Sequence, residues 1–167
     1  MYRFIPQYSP EHWERIQEDG LRWTVLHAYA RSPQYREKFK AAGVDPCGLR
    51  GLQDLRHLPF TTADDLREGY PLPLLSVPEA DVVRVHASSG TTGKRKILAY
   101  TQKDGVPFAL QTARCFDMAV PRPRAPAHLP VGYGLRPAGL GVQPGCEQTG
   151  ALTIPVGPGR HEVHTQM

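Results

Sequence analysis

The chain has 167 residues, a formal net charge of +4 with its histidines neutral, and 40% hydrophobic residues. A mean hydropathy of -0.41 and the lack of any run of about 18 apolar residues argue against a membrane span, and the opening Met1–Gln7 lacks the apolar core of a signal peptide. Cys47, Cys115 and Cys146 are scattered and odd in number, which gives no disulfide framework and fits a reducing cytoplasm, and arginine spread without interleaved aromatics gives no indication of a nucleic-acid face.

In chain order, Ser9-Pro10 reads as an N-cap followed by proline at the first helical position. Trp13, Ile16, Trp23, Leu26 and Ala30 follow at helical spacing, with Gly20 as the expected break and the aromatics expected in a core. Ser32-Pro33 caps a second helix, with Tyr35 and Phe39 one turn apart and Gly43 as its stop. Thr61-Thr62-Ala63-Asp64-Asp65 has the form of a capping box and predicts a short helix to about Gly69. Two extended runs, Asp81–His86 and Lys96–Tyr100, predict strands. Thr101 and Asp104 predict a capped helix to about Met118, with Pro107 tolerable near its start. Four prolines in residues 120–130 predict a linker or irregular segment. Ala151–Pro155 reads as a short strand, and residues 156–167 as a frayed tail. The order suggests an α/β chain: a helical region over 1–80, then a partial α/β nucleotide-binding subdomain over 81–167.

Between the two strands stands Ser88-Ser89-Gly90-Thr91-Thr92-Gly93-Lys94. Two glycines let backbone N–H groups converge on an anion, the hydroxyls can donate to phosphate oxygens, and Lys94 and Lys96 bring positive charge. It is neither a Walker A motif, which would need glycine where Ser88 stands, nor a GxGxxG turn. On its own the loop reads equally as a phosphate clamp or as a solvated surface loop.

The same seven residues resemble the phosphate-binding signature of adenylate-forming enzymes. The opening serine pair and the tail Leu98-Ala99-Tyr100-Thr101-Gln102-Lys103-Asp104 resemble one branch, the phenylacetate–CoA ligases. Collinear stretches agree: Tyr8-Ser9-Pro10, Ser32-Pro33-Gln34-Tyr35-Arg36, Leu58-Pro59-Phe60-Thr61-Thr62, Asp65-Leu66-Arg67, Tyr70-Pro71, Ala113-Arg114-Cys115, Gly132-Tyr133-Gly134-Leu135 and Ile154-Pro155-Val156. The resemblance implies part of the N-terminal large domain of such an enzyme, with an incomplete sheet. It implies a two-step reaction using ATP, Mg²⁺, an aryl carboxylic acid and coenzyme A, through an acyl-adenylate. Residues 88–94 would hold the β- and γ-phosphates; Tyr133, Gly134 and Glu147 would lie at the acid pocket. The resemblance names no catalytic residue and no protein-built metal site in this chain.

The chain also departs from the pattern. Arg95 stands where proline is usual, Arg136-Pro137-Ala138 where aromatic-threonine-glycine is usual, and Gln148 where arginine is usual. Pro144 falls inside the helix expected over 138–149. The resemblance implies a length well over twice this one, with the adenine and ribose contacts and a small lysine-bearing domain downstream. The resulting expectation is a truncated ligase, inactive alone. The alternatives are a non-catalytic nucleotide-binding remnant and one half of a split ligase completed by a separately encoded partner. His86 reads as a structural strand-end histidine or a contact to phosphate or coenzyme; Cys115 and Cys146 read as packed thiols; His161, Glu162 and His164 read as incidental tail residues or a metal contact.

Overall fold

A computed structural model describes residues 3–90, 93–119, 125–159 and 161–166. The chain is mixed α/β and divides into two compact units, one of residues 7–82 and one of residues 1–6 with 83–167.

The first unit begins with α1 (Pro10–Arg31). The Ser9 side chain accepts from the His12 N–H, and proline takes the first helical position. The helix runs through Gly20 without the expected break, since a lone glycine costs only about 1 kcal/mol in a helix of 22 residues. Ser32, fully buried, ends α1 and caps α2 (Pro33–Ala41) through the Tyr35 N–H. Gly43, at φ +64°, closes α2: its own N–H bonds to the Lys40 carbonyl and that of Val44 to the Phe39 carbonyl. Phe39 sits between the rings of Tyr29 and Tyr35.

The α1 aromatics do not form the expected core. Trp23 is 66% exposed, Trp13, Ile16 and Leu26 are also open to solvent, and Val25 is the buried residue of the helix. The elements under α1 are α2 and two short 3₁₀ turns (Pro46–Gly48 and Leu52–His57), too little surface to cover 22 residues. The capping box at Thr62 and Asp65 forms, with the Asp65 carboxylate accepting from the Thr62 N–H at 2.6 Å. It opens a run of turns rather than a helix. Asp65 is also held by Lys38 at 2.6 Å, and Gly69, at φ +68°, turns the chain away before helical bonds can propagate.

In the second unit, β1 (Val82–Ala87) and β2 (Ile97–Thr101) form one two-stranded sheet. A 3₁₀ turn (Gln102–Asp104) leads into α3 (Gly105–Ala119), with the Thr101 N–H and hydroxyl both donating to the Asp104 carboxylate. Pro107 falls in the first turn of α3, where its missing N–H costs no helical bond. Residues 120–124 of the proline-rich stretch lie outside the described residues, but Pro126–His128 form β3, correcting the expectation of an irregular segment. Pro126 is the first residue of the strand, where the ladder tolerates proline. β3 pairs in parallel with β4 (Leu152–Ile154). Between them lies α4 (Pro137–Gln148), with Pro144 inside it. Among the described residues the tail is not frayed: α5 (His161–Gln166) is tied back by His164, whose ring nitrogens meet His128 Nε2 at 3.0 Å and the Gly157 carbonyl at 2.9 Å.

α3 and α4 form the most extensive helix pairing among the described residues. Their contact is built from small residues: Ala109, Ala113 and Cys146 are buried, and the Gly141 and Gly145 backbones lie against Phe108 and Thr112. Cys146 is packed as expected, whereas Cys115 is exposed. The first residues of the chain join this unit: the Asp117 carboxylate accepts from the Arg3 and Phe4 N–H groups, and the Arg114 guanidinium donates to the Phe4 carbonyl.

Candidate functional site

The glycine–hydroxyl loop springs from β1 and returns into β2. The Ser88 N–H donates to the Lys96 carbonyl at 3.0 Å, and the Lys96 N–H donates to Ser88 Oγ at 3.0 Å. Ser88 thus closes the base of the loop while its hydroxyl proton stays available to another acceptor. Ser89 is exposed beside it. Gly90 has φ +73° and Gly93 φ +124°, conformations that L side chains rarely adopt. A Cβ at Gly90 would also come within 2.7 Å of Arg95 Cγ. Lys94 is exposed, and Arg95 Nη1 reaches the Ser88 carbonyl at 3.4 Å. Thr91 and Thr92 lie outside the described residues. No aspartate or glutamate occurs between Val82 and Lys103, and Lys94, Arg95 and Lys96 make the loop and its exit locally cationic.

His86 anchors the loop from beneath. It is 1% exposed, and its Nδ1 lies 3.2 Å from the Leu135 carbonyl, which also accepts from the Ala87 N–H at 2.8 Å. A carbonyl cannot donate, so the proton sits on Nδ1, and Nε2 is left without a hydrogen-bond partner among the described residues. The ring meets Tyr100 edge-on at 5.1 Å, and Tyr100 stacks on Phe108 of α3. These contacts tie the end of β1 to the Gly132–Leu135 segment and to α3, the structural role among the two read from sequence.

Above this support lies a cleft of about 480 Å³ lined by Ala87, Ser88, Ser89, Phe108, Arg136, Pro137, Ala138 and Val142. The loop serines form one wall and the first turn of α4 another. Apolar groups dominate the lining, and Arg136 brings its only formal charge.

The three pocket residues named from sequence sit close by. The Tyr133 ring packs against Gly139, where a Cβ would fall 2.9 Å from the ring, and the Tyr133 hydroxyl is buried without a partner among the described residues. Burial raises its pKa above the usual phenol value, with the Glu147 carboxylate adding to the rise. Glu147 is exposed farther along α4 and accepts from Gln143 Nε2 at 2.8 Å; Gly134 is exposed. None of these three is among the cleft-lining residues, which come instead from the adjacent turn at 136–138. Burial raises the Cys146 thiol as well, with Glu147 again contributing, so it stays protonated near neutral pH and is a packing group rather than a nucleophile. Phe108 and Val142 escaped the sequence reading because their role depends on how α3 crosses α4. Arg136 was visible only as a departure from pattern.

No cluster of three or more histidine, cysteine, aspartate or glutamate side chains among the described residues could hold a metal ion. No helix among them is long and apolar enough to cross a membrane.

No protein-family model matches the chain. Among curated proteins it is 45% identical over 163 residues to the phenylacetate-coenzyme A ligase of Escherichia coli (strain K12), covering 98% of this chain and 37% of that protein. It is 46% identical over 147 residues to the phenylacetate-coenzyme A ligase of Thermus thermophilus, covering 88% and 33%. Among solved structures it is similar to a 2-hydroxyisobutyryl-CoA ligase in complex with 2-HIB-AMP and CoA, with TM-score 0.81, 26% identity, and coverage of 90% of this chain and 33% of that one. The chain therefore spans about a third of the length of the relatives it matches. In sequence it is related, over nearly its whole length, to the N-terminal portion of phenylacetate–coenzyme A ligases.

Proposed function

We propose that this chain supplies the triphosphate-holding loop and part of the acid cleft of an ATP-dependent aryl acid–coenzyme A ligase. The observation that carries the reading is one of position: Ser88 and Ser89 belong both to the glycine–hydroxyl loop and to the wall of an apolar cleft. A phosphate held by the loop and an acid held in the cleft would be neighbours. In the reaction proposed, a carboxylate oxygen of the acid attacks the α-phosphorus of ATP and pyrophosphate leaves. The sulfur of coenzyme A then attacks the acyl carbon and AMP leaves, giving the thioester. Within this scheme Ser88, Ser89, Gly90, Thr91, Thr92, Gly93 and Lys94 bind the β- and γ-phosphates through hydroxyls, backbone N–H groups and one ammonium. Their task is to hold and orient charge, which costs no reorganisation when the loop is already bent at its two positive-φ glycines. Mg²⁺ would arrive with the triphosphate. Tyr133 and Gly134, in the segment that leads into Arg136, and Glu147, farther along α4, would support the acid pocket from outside the cleft lining, and the unit from Val83 onward would be the nucleotide-binding part. A cytoplasmic location fits its unpaired thiols.

The activity proposed belongs to a whole ligase; this chain's share is binding. A non-catalytic nucleotide-binding role is the second reading, favoured by an intact loop beside the departures at Arg136 and Pro144. Titration calorimetry with MgATP tests the share common to both. Weak, millimolar-range binding is expected, reduced about threefold or more by Ser89→Ala and by Lys94→Ala. No binding at millimolar ATP, or equal affinity in all three proteins, would refute it. Thioester formation from phenylacetate, ATP and coenzyme A by this chain alone would remove the second reading.

A further inference from the structure

The cleft has an apolar interior and a cation. Ala87, Phe108, Pro137, Ala138 and Val142 supply the apolar surface, while Arg136 lines the same cleft as the loop serines. Arg136 forms no ion pair or side-chain hydrogen bond with any described residue, unlike Arg3, Arg22, Arg36 and Arg114, each of which is bound to a carbonyl. It immediately precedes Pro137, the first residue of α4, so the positive end of that helix faces the same space. Glu147, the nearest carboxylate along α4, is turned to solvent and engaged by Gln143. An apolar body in this cleft would leave the guanidinium partly desolvated and uncompensated, which is unfavourable unless the ligand brings an anion to it.

We propose that Arg136 is a specificity-determining residue, and that the cleft selects acids carrying a second anionic group on an apolar body, dianionic aryl acids above all, over acids with an uncharged body. This rests on the acid-binding part of the proposed function. One carboxylate faces the serine loop for activation, and the other pairs with the Arg136 fork, which suits bidentate carboxylate recognition. The cleft is open, so the pair is partly screened and the preference is moderate.

Titration calorimetry on the whole chain, with phenylacetate and para-carboxyphenylacetate as probes and MgATP in parallel, tests this. The dianion is expected to bind about five- to tenfold tighter, with the preference shrinking as salt rises. Arg136→Phe should erase the preference and favour phenylacetate. Arg136→Gln, which keeps most of the side chain's length, should erase it without adding apolar surface and guards against a folding defect in the first variant. Equal binding of the two acids, binding of neither, or a preference that survives both substitutions overturns the inference while leaving the ATP arm of the proposed function standing. A preserved dianion preference in a protein that fails to bind ATP would support Arg136 as the selector and refute the ligase reading.

Discussion

Gly145 is where the second unit should be least forgiving. A Cβ at Gly145 would fall 2.5 Å from Thr112 Cβ, 2.7 Å from Thr112 Cγ2 and 3.0 Å from the Ala109 carbonyl oxygen. Carbon atoms settle about 3.5–4.0 Å apart, so Gly145→Ala needs a local separation of α3 and α4 of about 1 Å. Thr112 Cβ cannot rotate aside, because it is fixed to the α3 backbone, and the Thr112 hydroxyl is bonded to the Phe108 carbonyl. The gap would pass to Ala109, Ala113 and Cys146, which are buried at this seam. Overpacking of this kind costs about 1–3 kcal/mol, and the upper part of that range applies to a contact this short. Alanine returns about 1 kcal/mol in helix propensity, so the net destabilisation is about 1–2 kcal/mol. Gly20→Ala is the control: nothing lies within 4 Å of its Cβ, and propensity alone should stabilise α1 by about 0.5–1 kcal/mol. The thiols give a direct assay for the helix seam. Cys47 and Cys115 are exposed and Cys146 is buried, so an aromatic disulfide reagent should show two fast thiols and one slow one under native conditions. Gly145→Ala should speed the slow phase by about five- to thirtyfold, the Boltzmann factor of that loss. An unchanged slow phase, or a raised melting temperature, would show that the seam yields freely and that propensity decides.

The remaining predictions concern acid stability and His86. The Asp65 carboxyl is held below the usual carboxylate range, first by Lys38 and then by the Thr62 N–H, and Asp54 is lowered chiefly by the Arg50 N–H. A depressed carboxylate stabilises above its unfolded pKa and loses that contribution as pH falls through its folded value. The first unit should therefore lose urea resistance below about pH 4, followed by the fluorescence of Trp13 and Trp23. Asp65→Asn should be less stable at neutral pH and show a shallower acid loss; an identical acid profile would refute the assignment. His86→Phe removes a buried nitrogen that lacks a partner and the Nδ1 donor together, while the Leu135 carbonyl keeps the Ala87 N–H. It should change stability by about 1 kcal/mol or less, whereas His86→Ala should cost about 2–3 kcal/mol by opening space beside Tyr100. MgATP affinity should hold within about twofold in His86→Phe; its loss would make His86 a phosphate contact.

Local chemistry made much of the first unit readable. Ser9-Pro10, Ser32-Pro33 and Gly43 specify helix ends through groups within a few residues, so no tertiary information was needed. Asp65 shows where that logic stops. Its capping box forms as the sequence requires, yet the carboxylate is shared with Lys38, which is remote in sequence, and the helix does not propagate. The exposed aromatic stripe of α1 failed for a related reason: periodicity identifies an apolar face but not whether another element is large enough to cover it. β3 was hidden by its prolines because a strand can begin on Pro126 when its partner, β4, arrives later in the chain.

β1 shows why the site was only half legible. Its alternation is inverted for this structure: Val83 and Val85 are 60% and 40% exposed, while Arg84 and His86 turn inward. Leu98 on β2 is open as well. Read alone, such a strand would be placed with its valines in the core and its histidine at the surface. Its inner face is instead fixed by Tyr100, which meets the Arg84 guanidinium at 5.6 Å and the His86 ring at 5.1 Å. The His86 bond to Leu135 then ties that register to the segment that opens α4, whose Arg136 lines the same cleft as Ser88 and Ser89. The loop could be read from its glycines and hydroxyls because its chemistry is contiguous. The cleft could not, because its charge, its ring and its serines meet only when the inverted face of β1 is already in place.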